Sequence, residues 1–182
     1  MKLPNWRNWV RSKRLCKRWL NDYIKKGVLR KTRLSKELYL KKARHNLDFA
    51  NWVKEKHNNE LPELFGEERF YDWVINAYYY AIYHAALALI SAKGFASKSH
   101  NATLCAVIWF YYHQHKKLDE KDIELIKESI DKEDIEIITK TKDLRERASY
   151  DVSASFELCL VEKAKNNTVS FINKVKKILE PT

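Results

Sequence analysis

Glycine and proline are nearly missing, with three of each in 182 residues. An all-β fold needs many tight turns, so this scarcity excludes it and argues for long helices joined by short loops. Cysteine is scarce too. Cys16, Cys105 and Cys159 are widely spaced, odd in number and form no Cys-x-x-Cys pair. With no signal-peptide pattern ahead of them, they read as reduced thiols of a cytoplasmic protein. The sequons at Asn101-Ala102-Thr103 and Asn166-Asn167-Thr168 then carry no meaning, because glycosylation needs secretion. Apolar runs such as 104–112 read as too short to cross a bilayer. No Walker loop, GxGxxG, HExxH or nucleophile elbow occurs, which removes the commonest motif-bearing enzymes.

Acidic residues are missing from one stretch only. Of 35 Lys/Arg and 24 Asp/Glu, residues 1–34 hold twelve basic residues and one acidic residue, Asp22, leaving 23 of each sign elsewhere. The formal charge of +11 is therefore N-terminal, and the asymmetry points to a polyanionic or acidic partner.

What the chain does have is helical periodicity. Asn76-Ala77-Tyr78-Tyr79-Tyr80-Ala81-Ile82-Tyr83-His84-Ala85-Ala86-Leu87-Ala88-Leu89-Ile90 is apolar around most of a helix. Such a helix must be surrounded, so it is expected to be the central post of an all-α bundle, running from about 67 to 93. Ahead of it, Pro4 can open one basic helix that Gly27 ends, with Trp6, Trp9, Val10, Cys16, Trp19, Leu20, Tyr23 and Ile24 on one side. Arg7, Arg11, Arg14, Lys17, Arg18 and Lys25 fall on the other. Three uses of that face compete: a solvated docking helix, phosphate contact with RNA or DNA, and an anionic membrane surface. Ser35 is placed to cap a helix buried through Leu40, Ala43, Leu47, Ala50 and Val53. Residues 58–66 read as a connector, Ser97-Lys98-Ser99-His100-Asn101 as the cap of a helix carrying Leu104, Val107, Ile108 and Tyr111, and 119 and 134 as the starts of two helices. Phe156 to Ile178 gives the last. About seven helices result, divided as a basic extension (1–34) packed on a bundle (35–182).

Few residues offer chemistry. His113 and His115 are two apart, do not share a helical face and have no carboxylate or Cys at ligand spacing, so no metal is expected. Cys105 and Cys159 read as core thiols. His84 on the central helix reads first as part-buried, bonded to a tyrosine or a backbone carbonyl, and only second as catalytic. His100 beside Ser99 reads as a cap-region residue. Arg145-Glu146-Arg147-Ala148-Ser149-Tyr150-Asp151 is the densest polar cluster. Its arginines either bridge surface carboxylates or grip a phosphate beside the Tyr150 hydroxyl.

Tyr79-Tyr80-Ala81-Ile82-Tyr83-His84-Ala85-Ala86-Leu87-Ala88-Leu89, followed by Gly94 and Ser99-His100, resembles the core helix and following loop of HEPN domains. Ala43-Arg44-His45-Asn46-Leu47-Asp48-Phe49-Ala50 is similar to their first core helix. Residues 145–151, the helix after them, Cys16 and the Lys26-Gly27-Val28-Leu29 turn extend the likeness over most of the chain. The resemblance implies an up-and-down helical bundle that forms a homodimer in the cytoplasm and acts on RNA or a nucleotide without cofactor or metal. It also implies a minimal nucleotidyltransferase partner or a toxin–antitoxin pair. The family's ribonuclease signature is Arg, four to six residues, then His, often with Tyr two residues on. Aligned on Arg145, the His position holds Tyr150 and the Tyr position Val152, and no His follows His115. Tyrosine, with an ordinary pKa near 10, is a poor base, so little or no catalysis is expected. The expected site is then Arg145, Tyr150 and His84, with Arg145, Arg147, Arg7, Arg11, Arg14 and Arg18 on phosphate. The alternative is a metal-independent ribonuclease toxin in which His84 or His100 replaces the missing base.

Overall fold

The computed structural model describes residues 5–57, 59–66, 70–139 and 154–180, of which 131–139 and 154–157 are described as helical backbone only. Its organising element is α5 (Tyr71–Ser91). From Ala81 to Ser91 only His84 escapes burial, so no side of this half of the helix is left for water. Its many alanines let neighbouring helices come close. By length and mean hydropathy α5 would also suffice to cross a bilayer, contrary to the short-run expectation, and 72% of its most apolar window is buried inside the bundle.

Three long helices enclose it. Ser35 caps α3 (Lys36–Lys56), its hydroxyl accepting from the Glu37 N–H. The Tyr78 hydroxyl donates to Asn51 Oδ1 at 2.8 Å, while Asn46 meets His84, so α3 runs antiparallel to α5. α8 (Ala154–Leu179) runs parallel to α5. Thr168 lies over the Tyr78 carbonyl, and Lys36 Nζ at the start of α3 donates to the Leu179 carbonyl at 2.7 Å. α7 (Glu120–Thr139) begins beside the late part of α8, where Lys174 meets Asp119 and Asp122 at 3.3 and 2.6 Å. The four alternate up and down. Two shorter helices, α4 (Glu60–Phe65) and α6 (His100–Val107), complete the connections, with a helical turn in what reads from sequence as a plain connector.

The N-terminal segment is built differently from the single helix its periodicity suggests. It is α1 (Trp6–Arg11) and α2 (Lys13–Lys25), broken at Ser12, whose extended backbone ends one helix while its hydroxyl accepts from Leu15 N–H to start the next. The break turns Trp9 (0% exposed) against Trp19 and Tyr23, ring centroids 6.1 and 6.5 Å away. Trp6, Trp9, Cys16, Trp19, Leu20 and Tyr23 join the same core as Ile82, Ala86 and Leu104. Gly27 and Gly94, at φ of 66° and 75°, make left-handed turns into two short strands, β1 (Leu29–Lys31) and β2 (Phe95–Ser97), which pair antiparallel. The pair ties the extension to the exit of α5.

Three further differences from the sequence reading are physical. α7 continues through Asp134 to Thr139 as one helix, because nothing at 131–133 breaks it. After Val107 the chain widens into a seven-residue π-helix, Ile108–Gln114, rather than continuing as α. Cys159 is exposed, not a core thiol, whereas Cys16 and Cys105 are buried with their sulfurs 4.0 Å apart.

The Tyr23 hydroxyl is buried with no hydrogen-bond partner among the described residues, and burial pushes its pKa up to about 12. An unpaired buried hydroxyl costs about 1–3 kcal/mol. Tyr23→Phe is therefore expected to leave stability unchanged or raise it by about 1 kcal/mol in urea unfolding. Trp9→Ala should lower it by about 3–5 kcal/mol in a single transition. A separate early transition for the N-terminal segment would contradict the shared core.

Candidate nucleic-acid interface

One face of α2 is spent on the core, so its charges have only the other face to occupy. Cys16, Trp19, Leu20 and Tyr23 are buried, and Lys13, Arg14, Lys17, Arg18 and Lys25 are exposed. Arg14, Arg18 and Lys25 recur at four- and seven-residue steps and form an outward row. Lys13 and Lys17 sit at its edge, their ammonium groups 5.9 and 5.7 Å from the Trp109 ring. None of these five forms an ion pair with another described residue. Arg11 ends α1 beside the row and is exposed. Arg7 differs from the rest: its guanidinium is 2.9 Å from Glu124 of α7 and 4.7 Å from the Trp6 ring. It helps dock α1, and its charge is partly answered.

The row is firmly placed. Cys16 and Cys105 face each other across α2 and α6, each thiol 3.5 Å from the other residue's carbonyl oxygen. The hydrogen-bond contact with Cys16, and burial after it, push the Cys105 pKa far above the ordinary thiol range, so it is a packed, protonated thiol.

The histidines divide by tautomer. A carbonyl only accepts, so His84 Nδ1, 2.7 Å from the Tyr80 carbonyl, carries the proton and donates it there. The Asn46 carboxamide lies 3.3 Å from the same nitrogen, where an orientation with its oxygen toward the ring suits an Nδ1–H. Burial holds the His84 pKa below the ordinary 6.5, with Lys42 pushing the same way against the Tyr80 carbonyl. His84 is thus the part-buried, carbonyl-bonded residue its position suggests. The Tyr83 ring stands between His84 and His100, with centroids at 6.0 and 4.8 Å. His57 donates to the Val53 carbonyl and accepts from Phe70 N–H, clamping the α3–α5 turn. His113 Nε2 donates to the Trp9 carbonyl at 2.8 Å, and His115 accepts from Lys93 at 2.9 Å. The partners of His57, His84, His113 and His115 are carbonyls, amides and an ammonium, none of them a carboxylate that would raise basicity.

Arg145, Arg147 and Tyr150 lie outside the described residues, so the meeting of His84 with Arg145 is not among the contacts seen. Arg14 and Arg18 come together on α2, with Arg11 nearby and Arg7 turned to Glu124. No three His, Cys, Asp or Glu side chains group as metal ligands among the described residues. Trp109 lies beside the basic row, under Lys13 and Lys17, and Tyr112 and Lys116 follow it in the chain without being marked as functional by the sequence. Their one signal, an aromatic run followed by two lysines, is indistinguishable from a core helix ending in a solvated loop.

Because His84 binds its proton less readily folded than unfolded, the stability it allows is complete above about pH 6.5 and is lost as pH falls below that value. Urea midpoints should therefore drop between pH 7.5 and 5.5, and the drop should be smaller in His84→Gln. Equal drops would remove His84 as the cause.

No protein-family model matches the chain, and no curated protein or solved structure shows significant similarity to it.

Proposed function

We propose that the protein is a HEPN-like bundle that binds RNA through the outer face of α2. In this reading it has little or no catalysis and serves as one half of a toxin–antitoxin or nucleotidyltransferase-partner system. The observation that carries it is the row of Lys13, Arg14, Lys17, Arg18 and Lys25. All five are exposed on a helix whose opposite face is locked in the core. A solvated face needs no such segregation of sign, since 23 acidic residues are available elsewhere. Cations aligned at helical spacing and held on a rigid support neutralise successive phosphates and release counterions. Tyr150 at the position of the family's His fits weak catalysis.

Binding to single-stranded RNA should weaken steeply with salt, the log–log slope changing by about 0.7 for each phosphate contact. Arg14→Gln/Arg18→Gln should reduce that slope by about 1.4 without moving the unfolding midpoint. Filter-binding titrations at several salt concentrations measure this. Unchanged slope and affinity would refute the interface, and preference for anionic vesicles over RNA would transfer it to membranes.

A second reading has its own observation. The Tyr83 ring lies against both His84 and His100, so two imidazoles are near one another, and a metal-independent ribonuclease using Arg145 could take either as its surrogate base. Under the preferred reading, purified protein leaves structured RNA uncut. Cleavage that disappears in Arg145→Ala and in a folded His84→Ala would establish the second.

A further inference from the structure

We propose that the cleft at the end of the π-helix seats one unstacked base of single-stranded RNA, with an amino-bearing base preferred. The inference rests on the reading of α2 as a phosphate-binding row. Two departures from ordinary backbone meet at this cleft. The π-helix Ile108–Gln114 closes with His115 N–H on the Phe110 carbonyl, and Lys117 and Leu118 N–H groups both donate to Tyr111 O. Lys116 between them takes φ of 50°, the one non-glycine in the left-handed region among the described residues. Long π-helical runs are rare, and a left-handed lysine costs about 1 kcal/mol or more, so neither is a default of the sequence.

Beside them lies a cleft of about 420 Å³ lined by Tyr112, His113, Lys116, Leu118, Asp119 and Glu120. That volume lies in the range of small-ligand sites. Tyr112 and His113 are half-buried, their rings edge-to-face at 5.1 Å, and the Trp9 carbonyl fixes the His113 ring. This is an immobile aromatic platform, which any base face can stack on.

Charge sets the orientation of the guest. The Asp122 N–H and Lys174 hold the Asp119 carboxyl below its usual range, and Glu120 lies beside it. A phosphate is repelled by that wall and drawn to the exposed Lys116 at the rim. A base that enters can donate an exocyclic amine, which adenine and cytosine possess and uracil lacks, to the exposed Glu120, since Asp119 is already held by the Asp122 N–H and Lys174. The cleft also continues the basic row. Lys17 lies 5.7 Å from the Trp109 ring, Trp109 is 6.4 Å from His113, and His113 is 5.1 Å from Tyr112. Backbone phosphates on α2 and a base in the cleft are therefore within one short strand's reach.

The test uses the full chain with short oligo(A), oligo(U) and an RNA duplex, read by fluorescence anisotropy, with 2-aminopurine in the oligo(A) reporting stacking. Oligo(A) should bind more tightly than oligo(U) or duplex and quench the probe. Tyr112→Leu should cost oligo(A) about tenfold and abolish quenching, while Tyr112→Phe keeps both. Glu120→Gln, on the exposed side of the cleft, should narrow the preference for oligo(A) over oligo(U). Equal binding of all three RNAs, still weakened by Arg14→Gln/Arg18→Gln, would overturn the cleft and leave the α2 interface standing. Absence of RNA binding in the wild-type protein would overturn both.

Discussion

A helix without a polar face cannot exist alone in water, and α5 imposes that condition on everything around it. α3, α7 and α8 each give it an apolar stripe, α6 covers part of the remaining surface, and the N-terminal helices pack in turn on α6 and the π-helix. Because α5 supplies small alanines rather than large side chains over much of its surface, the bulk of the core comes from its neighbours. The tryptophans of the basic segment belong to that bulk. Their burial is the reason a segment so rich in like charge can hold a fixed shape.

That arrangement separates the two properties of α2. Its inner residues belong to the hydrophobic core, and its outer residues are free to be selected for charge. Self-repulsion along Arg14, Arg18 and Lys25 is tolerated because water screens the outer face, while the aromatic contacts beneath are unaffected by salt. The π-helix has a similar position at the next corner. It keeps Ile108 and Tyr111 in the core while turning Tyr112 and His113 partly outward.

Much of this was legible in the residues. The all-round apolarity of 76–90 identifies the central helix, Ser35 and the 97–101 stretch mark two helix starts, and the Ala43–Ala50 stripe gives the buried side of α3. These features depend on local periodicity, which a sequence carries openly. The break at Ser12 is hidden, since the periodic pattern of tryptophans and arginines runs through it and outweighs the one capping residue that makes it. The strand pair at Leu29 and Phe95 joins segments far apart in the chain, and neither is long enough to show alternation. The π-helix depends on one extra residue per turn, which tertiary packing sets. The basic face was read correctly as a face, but Arg7's pairing with Glu124 across the fold was invisible from its own helix. The site proposed around Arg145 lies where no described side chain bears on it.

The distances along the chain between touching residues carry a kinetic consequence. Cys16 meets Cys105 across 89 positions, and Thr168 meets Tyr78 across 90. A helical protein is ordinarily a fast folder because its contacts are local, yet here both ends close long loops before they gain anything. Trp9 and Trp19 have no permanent cover until the α6 region has formed, so on the ribosome the aromatic face of α1 and α2 waits through the synthesis of about half of the bundle. During that interval its tryptophans are exposed, and the like charges on its other face keep nascent copies apart.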